Sequence, residues 1–265
     1  MIAVKEYTVN VWKGQIPCRV KSAGQGPPVV FLHNAYGLVW DPFLDILAQH
    51  RTVYAPEHPG TTPGHPEAIK PLDNLWDLVL YYYELFDQLG LEAPAVVGHS
   101  FGGMVAAEVA ATNPRRVSRL VLISPLGLWR DDAPVKNWMA LAPEALVKAV
   151  FYDPEGPIAT QFLALPDDPE AQGDAQLQRI WTLGCTGKFV WPIPDKGLKK
   201  RLHRIQAPTL LIWGRQDGLV PPIYAREFAD RMANARVEVL DKAAHMPHLE
   251  QIATVSRLVQ DFLQG

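Results

Sequence analysis

The chain has 265 residues, within the range of one large domain, and its formal charge sums to −3 with both signs spread along it. That balance excludes a basic footprint for nucleic acid, and 48% hydrophobic residues exclude a wholly disordered chain. No apolar run approaches the roughly 20 residues needed to cross a bilayer, and the start MIAVKEYTVN lacks the basic segment and apolar block of a signal peptide.

Residues 6–13 and 15–22 read as two strands with Gly14 between them, a hairpin. After the turn-rich GQGPP comes VVFLH (29–33), the first of several short apolar runs without alternation. TVYAP (52–56), APAVVGHS (93–100), VSRLVLIS (117–124), PTLLIWG (208–214) and ARVEVL (235–240) follow. Such runs predict strands buried on both faces, as in a parallel sheet. Helical spacing lies between them: Leu72, Leu75, Trp76, Val79, Leu80, Tyr83, Phe86 and Leu89 step by three and four over 72–89. An alanine-rich helix over 101–112 meets its stop at Pro114, and 222–232 and 248–263 complete the set. Strands alternating with helices predict a doubly wound α/β sheet.

From Pro125 to Arg204 the alternation breaks. This stretch carries nine prolines and weak helical patterns, without a comparable strand. The expected organisation is a core of residues 1–124 and 205–265, interrupted by an inserted helical cap at 125–204. The aromatic residues of that stretch, Trp129 to Trp191, are close to their overall proportion, so packing of the cap on the core accounts for most of them. Cys18 and Cys185 stand alone without CxxC spacing. Two packing cysteines in a reducing cytoplasm are expected, with no disulfide framework or structural zinc.

The chemical signal is Gly98-His99-Ser100-Phe101-Gly102-Gly103, set between a strand and the alanine-rich helix. A serine on so tight a turn has its Oγ pushed out above the sheet, and the flanking glycines avoid clashes in the bend. With five serines and 19 glycines in the chain, a chance G-x-S-x-G is expected about 0.03 times. A nucleophilic serine needs a base, and the base an orienting carboxylate. Asp217 follows the strand 208–213 and His245 follows the strand 235–240, so both fall on the sheet edge where ligands bind in open α/β folds. His248 is the rival base, but it begins the last helix. Asp131 and Asp132 are rival acids, read as solvated surface. His33 and His99 flank the site in structural roles, and His50, His58, His65 and His203 lack metal-site spacing.

On HNAYG (33–37), GHSFGG (98–103), LVLISP (120–125), PTLLIWGRQDGLVP (208–221) and AAHMPHLEQ (243–251), the sequence resembles the α/β-hydrolase superfamily in its serine-esterase-like branch. The resemblance implies a mostly parallel eight-stranded sheet flanked by helices, with an inserted helical cap. It makes Ser100 the nucleophile, His245 the base and then acid, and Asp217 its partner. It assigns the oxyanion hole to the backbone N–H groups of Phe101 and Ala35. Relatives usually carry glycine where this chain has Asn34, and asparagine's tolerance of left-handed backbone is the expected substitute. At 56–62 the usual acid of relatives is absent and Glu57 stands nearby, read as loop architecture.

The activity so implied is cleavage of a small carboxylic ester through an acyl-enzyme, without metal, nucleotide or flavin. The partner is a small ester-like molecule, with no nucleic acid and no membrane. Carbon–carbon bond hydrolysis of the meta-cleavage-product type, lactonase and perhydrolase activities are the enzyme alternatives, and a ligand-binding receptor of the same fold is the non-enzyme one. Dehalogenases and epoxide hydrolases are disfavoured, because Ser100 stands where they carry aspartate.

Overall fold

A computed structural model describes residues 2–264. Its centre is an eight-stranded sheet in the order β1-β2-β4-β3-β5-β6-β7-β8. The strands are β1 (Lys5–Val11), β2 (Ile16–Ala23), β3 (Pro28–Leu32), β4 (Thr52–Pro56), β5 (Ala95–His99), β6 (Arg119–Ile123), β7 (Thr209–Gly214) and β8 (Ala235–Leu240). β1 and β2 form the antiparallel hairpin, turning at Trp12, Lys13 and Gly14, all with positive φ. β2 also pairs antiparallel with β4, and every pair from β4 to β8 is parallel.

The continuous apolar runs have a direct cause in the packing. Successive strand side chains point to opposite faces. Val30 and Leu32 of β3, Leu120 and Leu122 of β6, and Leu211 and Trp213 of β7 enter one buried cluster. Their neighbours Val29, Phe31, Val121, Ile123, Leu210 and Ile212 enter a second cluster. Both faces are covered, so neither side of these strands can be polar.

Helices α1 (Pro42–Leu47), α2 (Leu75–Gln88) and α3 (Phe101–Thr112) follow β3, β4 and β5. The apolar spacing runs from Leu72, yet α2 starts at Leu75 because Asn74 caps it. The Asn74 side chain accepts from the Trp76 and Asp77 N–H groups at 2.8 and 3.2 Å, while Asp77 accepts in return from Asn74 at 3.3 Å. Helix α3 is buried on nearly every side. Its alanines and glycines let it lie close to the sheet, and its one charge, Glu108, meets Arg201 through two hydrogen bonds of 2.6 and 2.9 Å. An unpaired charge at that depth would be strongly destabilising.

Between β6 and β7 lie α4 (Pro143–Val150), α5 (Pro157–Leu163) and α6 (Pro169–Val190), each with proline in its first turn. The 22-residue length of α6 exceeds what the sequence pattern suggests. Only its C-terminal half, from Thr182 to Val190, is buried, so the first half carries no apolar stripe. After β7 come α7 (Ile223–Ala229), α8 (Pro247–Glu250) and α9 (Ile252–Gln264). The last two occupy the stretch expected as one helix, broken at Gln251. Cys18 and Cys185 are buried free thiols. Among the described residues, no helix is long and apolar enough to cross a membrane.

Candidate active site

Ser100 sits alone between the last residue of β5 and the first of α3, with φ 55° and ψ −113°. For a non-glycine residue this backbone costs roughly 1–3 kcal/mol. The surrounding contacts enforce it. A Cβ on Gly98 would stand 2.5 Å from the Gly102 carbonyl oxygen, and one on Gly102 only 2.0 Å from that of Leu32. The Ser100 N–H donates to the Ile123 carbonyl at 2.9 Å, and its own carbonyl accepts from Met104 and Leu126 at 3.0 and 3.1 Å. The turn is thereby tied to β6 on one side and to α3 on the other.

The loops after β7 and β8 bring Asp217 and His245 to the same edge. His245 Nε2 is 2.8 Å from Ser100 Oγ, and His245 Nδ1 is 2.9 Å from Asp217 Oδ2. Asp217 Oδ1 accepts from the Leu219 and Val220 N–H groups at 3.0 and 2.8 Å, so both carboxylate oxygens are engaged. A carboxylate can only accept, which places the imidazole proton on Nδ1 and leaves the Nε2 lone pair facing the serine O–H. All three side chains are buried.

The rival residues lie elsewhere. His248 belongs to α8, where it packs on His99 and Phe43 with ring centroids at 4.4 and 5.7 Å. Asp131 accepts from the Trp129 indole at 2.8 Å, and Asp132 pairs with Arg130 at 2.6 Å, both at the surface. Glu57 is bound to Arg19 at 2.5 Å, a scaffold contact in the loop after β4.

Phe101 directly follows Ser100 and Ala35 lies in the loop after β3; among the described residues neither backbone N–H donates to another protein group. Asn34 does not take the left-handed backbone expected of it: it is absent from the positive-φ residues. Its side chain is the reason for its presence. Oδ1 accepts from the Tyr36 N–H at 2.8 Å, which shapes the loop around Ala35, and Nδ2 donates to His99 Nδ1 at 3.3 Å. His99 in turn donates from Nε2 to the His245 carbonyl at 2.7 Å. The loop after β3 is therefore linked through His99 to the His245 loop.

A second imidazole pair supports the same loop. His58 donates its backbone N–H to His33 Nε2 at 3.0 Å and its own Nε2–H to the His33 carbonyl at 2.8 Å, while its Nδ1 accepts from the Tyr82 hydroxyl. Its ring lies edge-on to Phe101, 4.7 Å between centroids. Sequence reasoning gave His58 no role, because its partners Tyr82 and His33 lie 24 and 25 residues away on other elements.

These histidines give stability a pH dependence. Burial is the main cause of lowered pKa at each, bringing His58 to about 4 and His248 to about 3; neighbouring imidazoles lower His33, His99 and His248 further. Below the ordinary value near 6.5 the unfolded chain takes up protons that the folded chain refuses. Their stability contribution is intact above that value and is lost as pH falls towards about 4. Asp41 opposes them: burial raises it to about 6, so it favours the folded state at low pH and loses that effect as pH rises through about 6. Burial also raises the Glu108 and Glu250 carboxyls, which act in the same direction as Asp41, and the four imidazoles outweigh these three groups. Thermal melts are expected to show Tm falling steadily from about pH 6.5 to about pH 4.5, and a flat profile would contradict the assignment of neutral buried imidazoles.

Among the described residues, no group of three or more His, Cys, Asp or Glu side chains is placed to hold a metal ion. The profile of the Alpha/beta hydrolase family matches residues 29–258. A relative in Pseudomonas savastanoi pv. phaseolicola, named "Putative carbamate hydrolase RutD", is 30% identical over 253 residues, covering 90% of this chain and 94% of its own. The pimeloyl-[acyl-carrier protein] methyl ester esterase of Vibrio campbellii is 26% identical, with 91% and 96% covered. In fold, the chain is similar to naproxen esterase from Bacillus subtilis, with TM-score 0.78 at 19% identity, 99% of this chain and 92% of that one covered. The eight-stranded sheet, its flanking helices and the extent of the match to residues 29–258 agree: this chain belongs to the alpha/beta hydrolase family.

Proposed function

We propose that the protein is a serine hydrolase that cleaves a small carboxylic ester through an acyl-enzyme. The observation that carries this reading is the unbroken chain Ser100 Oγ–His245–Asp217, at 2.8 and 2.9 Å, rooted in the strained turn at Ser100. In the first step Ser100 Oγ attacks the substrate carbonyl carbon while His245 Nε2 takes the hydroxyl proton. Asp217 stabilises the imidazolium that forms. The carbonyl oxygen gains negative charge and receives hydrogen bonds from the Ala35 and Phe101 N–H groups, aided by the positive end of α3. Removing one such donor typically costs about 2.7–4 kcal/mol of transition-state stabilisation. His245 then gives its proton to the leaving alcohol. Water, deprotonated by His245, attacks the acyl carbon and restores Ser100.

The names of the sequence relatives favour an acyl carbonyl bearing a heteroatom leaving group, since methyl ester and carbamate share that feature. Residues 125–204 act in this reading as a cap over the site. Thr186 of α6 donates to the Ala35 carbonyl at 3.4 Å, Phe189 stacks on Phe101 at 6.4 Å, and Phe162 of α5 meets Tyr36 edge-on at 5.3 Å. These contacts support a role for the insertion in shaping the substrate pocket.

Turnover of short p-nitrophenyl esters and labelling by a fluorophosphonate test the proposal together. One label per chain is expected, on the peptide containing Ser100, with activity lost in proportion. Ester hydrolysis that survives full labelling, or a label on another residue, would sink it.

A further inference from the structure

The loops bearing Asp217 and His245 both hang on the end of α4. The Gly218 N–H donates to the Ala149 carbonyl at 3.0 Å, and the His245 N–H to the Val150 carbonyl at 2.9 Å. Helix termini leave carbonyls without intrahelical partners, and here two successive ones receive the residue after Asp217 and His245 itself. Glu250, the last residue of α8, closes the same junction from the opposite side. Its Oε2 accepts from the Ala244 N–H at 2.7 Å, directly before His245. Its Oε1 accepts from the Tyr152 N–H at 2.6 Å, two residues beyond Val150.

We propose that Glu250 is a positioning residue for His245, its two carboxylate oxygens holding the His245 loop and the segment 149–152 in one register. The seating of the insertion on the core and the aim of the imidazole at Ser100 are then a single equilibrium. This rests on the assignment of His245 as the base.

The chemistry of the clamp requires a carboxylate. Two N–H donors approach two different oxygens, and charge-assisted bonds of this kind are short and about twice as strong as neutral ones. A glutamine of nearly the same shape keeps one acceptor and turns an NH₂ against the other N–H. Burial raises the Glu250 carboxyl, and the Ala244, Tyr152 and Asp153 N–H groups oppose that rise. The group is therefore held by donors rather than by a cationic partner. Nothing in its spacing marks it: Glu250 lies six residues from Ala244 and 98 from Tyr152.

Steady-state hydrolysis of a p-nitrophenyl ester by full-length Glu250→Gln tests the idea, with folding followed by circular dichroism. A displaced catalytic group costs on the order of 100-fold, so kcat is expected to fall about 100-fold with KM within about twofold. The wild-type protein is expected to show a low-field proton resonance for His245 Nδ1–H, bonded to Asp217 at 2.9 Å, and in the variant it should broaden or vanish. A role confined to stability would lower Tm and leave both unchanged. Tyr152→Pro removes the donor from the insertion and sets a ring carbon against Glu250 Oε1, forcing that carboxylate arm off the segment 149–152, while the ψ of 140° at Phe151 already suits a following proline. It should lower kcat about tenfold, the equivalent of one charge-assisted hydrogen bond. It also decides the matter if Glu250→Gln fails to fold. Wild-type kcat and an intact resonance in a folded variant would overturn the positioning role while leaving the triad untouched. A Ser100→Ala protein that keeps its activity would instead strike the triad itself.

Discussion

Ser100→Ala is expected to lower kcat towards p-nitrophenyl esters by about 10⁶-fold, the scale seen when the nucleophile of such a constellation is removed. The change deletes one oxygen, whose recorded partner is His245 Nε2 at 2.8 Å. The backbone at φ 55° carries the same strain with alanine as with serine, and the buried site loses no volume larger than a hydroxyl. Tm should therefore shift little, and KM should stay close to the wild-type value because the oxyanion donors and the insertion remain. Fluorophosphonate incorporation should disappear with activity. The check is a single-turnover assay on purified variant: residual turnover above about 1% of wild type would mean that another residue attacks the substrate.

Legibility in the sequence follows the range of the interactions. The parallel centre of the sheet was readable because each of β3, β5, β6 and β7 sends neighbouring side chains into two separate clusters, which demands an unbroken apolar run. The serine turn was readable because its steric demands are local: Gly98 and Gly102 stand within two residues of Ser100. Asp217 and His245 could be located because each follows a strand whose C-terminal end must meet the same edge, and the hydrogen bonds Ser100–His245 and His245–Asp217 join the residues that this logic selects.

What escaped is held by side-chain contacts, most of them between residues far apart in the chain. Asn34 invited a backbone explanation, since only its own φ is visible locally, whereas its actual partners are the Tyr36 N–H and His99. The His33–His58–Tyr82 network joins three elements without any shared spacing. The 22-residue α6 was hidden because half of it faces solvent and half faces the core, so no single period runs through it. The same holds at the Glu250 junction, whose meaning lies in two acceptors 98 residues from one of their donors. Sequence patterns reveal elements and local turns. The second layer around the site is tertiary, and each of its bonds is an independent fact of the fold.

Asp217→Asn is the more discriminating substitution, because it alters one atom and leaves Ser100 and His245 in place. The carboxylate splits its work: Oδ1 accepts from the Leu219 and Val220 N–H groups at 3.0 and 2.8 Å, and Oδ2 faces His245 Nδ1 at 2.9 Å. An amide has one oxygen, and two backbone donors compete for it against one imidazole. Turning the NH₂ towards Leu219 and Val220 would set donor against donor twice at a buried position, at about 1–3 kcal/mol for each unsatisfied group. The oxygen therefore stays with the backbone, and the NH₂ points at His245. Nδ1 must then accept, the ring proton moves to Nε2, and the lone pair that faced Ser100 is gone. The loop geometry survives, so Tm should change little, but kcat is expected to fall about 10⁴-fold with KM nearly constant. Fluorophosphonate labelling should slow in parallel, since it draws on the same base. Because the defect is a tautomer rather than a displaced loop, the low-field Nδ1–H resonance should be absent while Ser100, His245 and the strand ends keep their wild-type spectral dispersion. Activity within tenfold of wild type would show that Asp217 only braces its loop and that the imidazole of His245 is oriented by some other group.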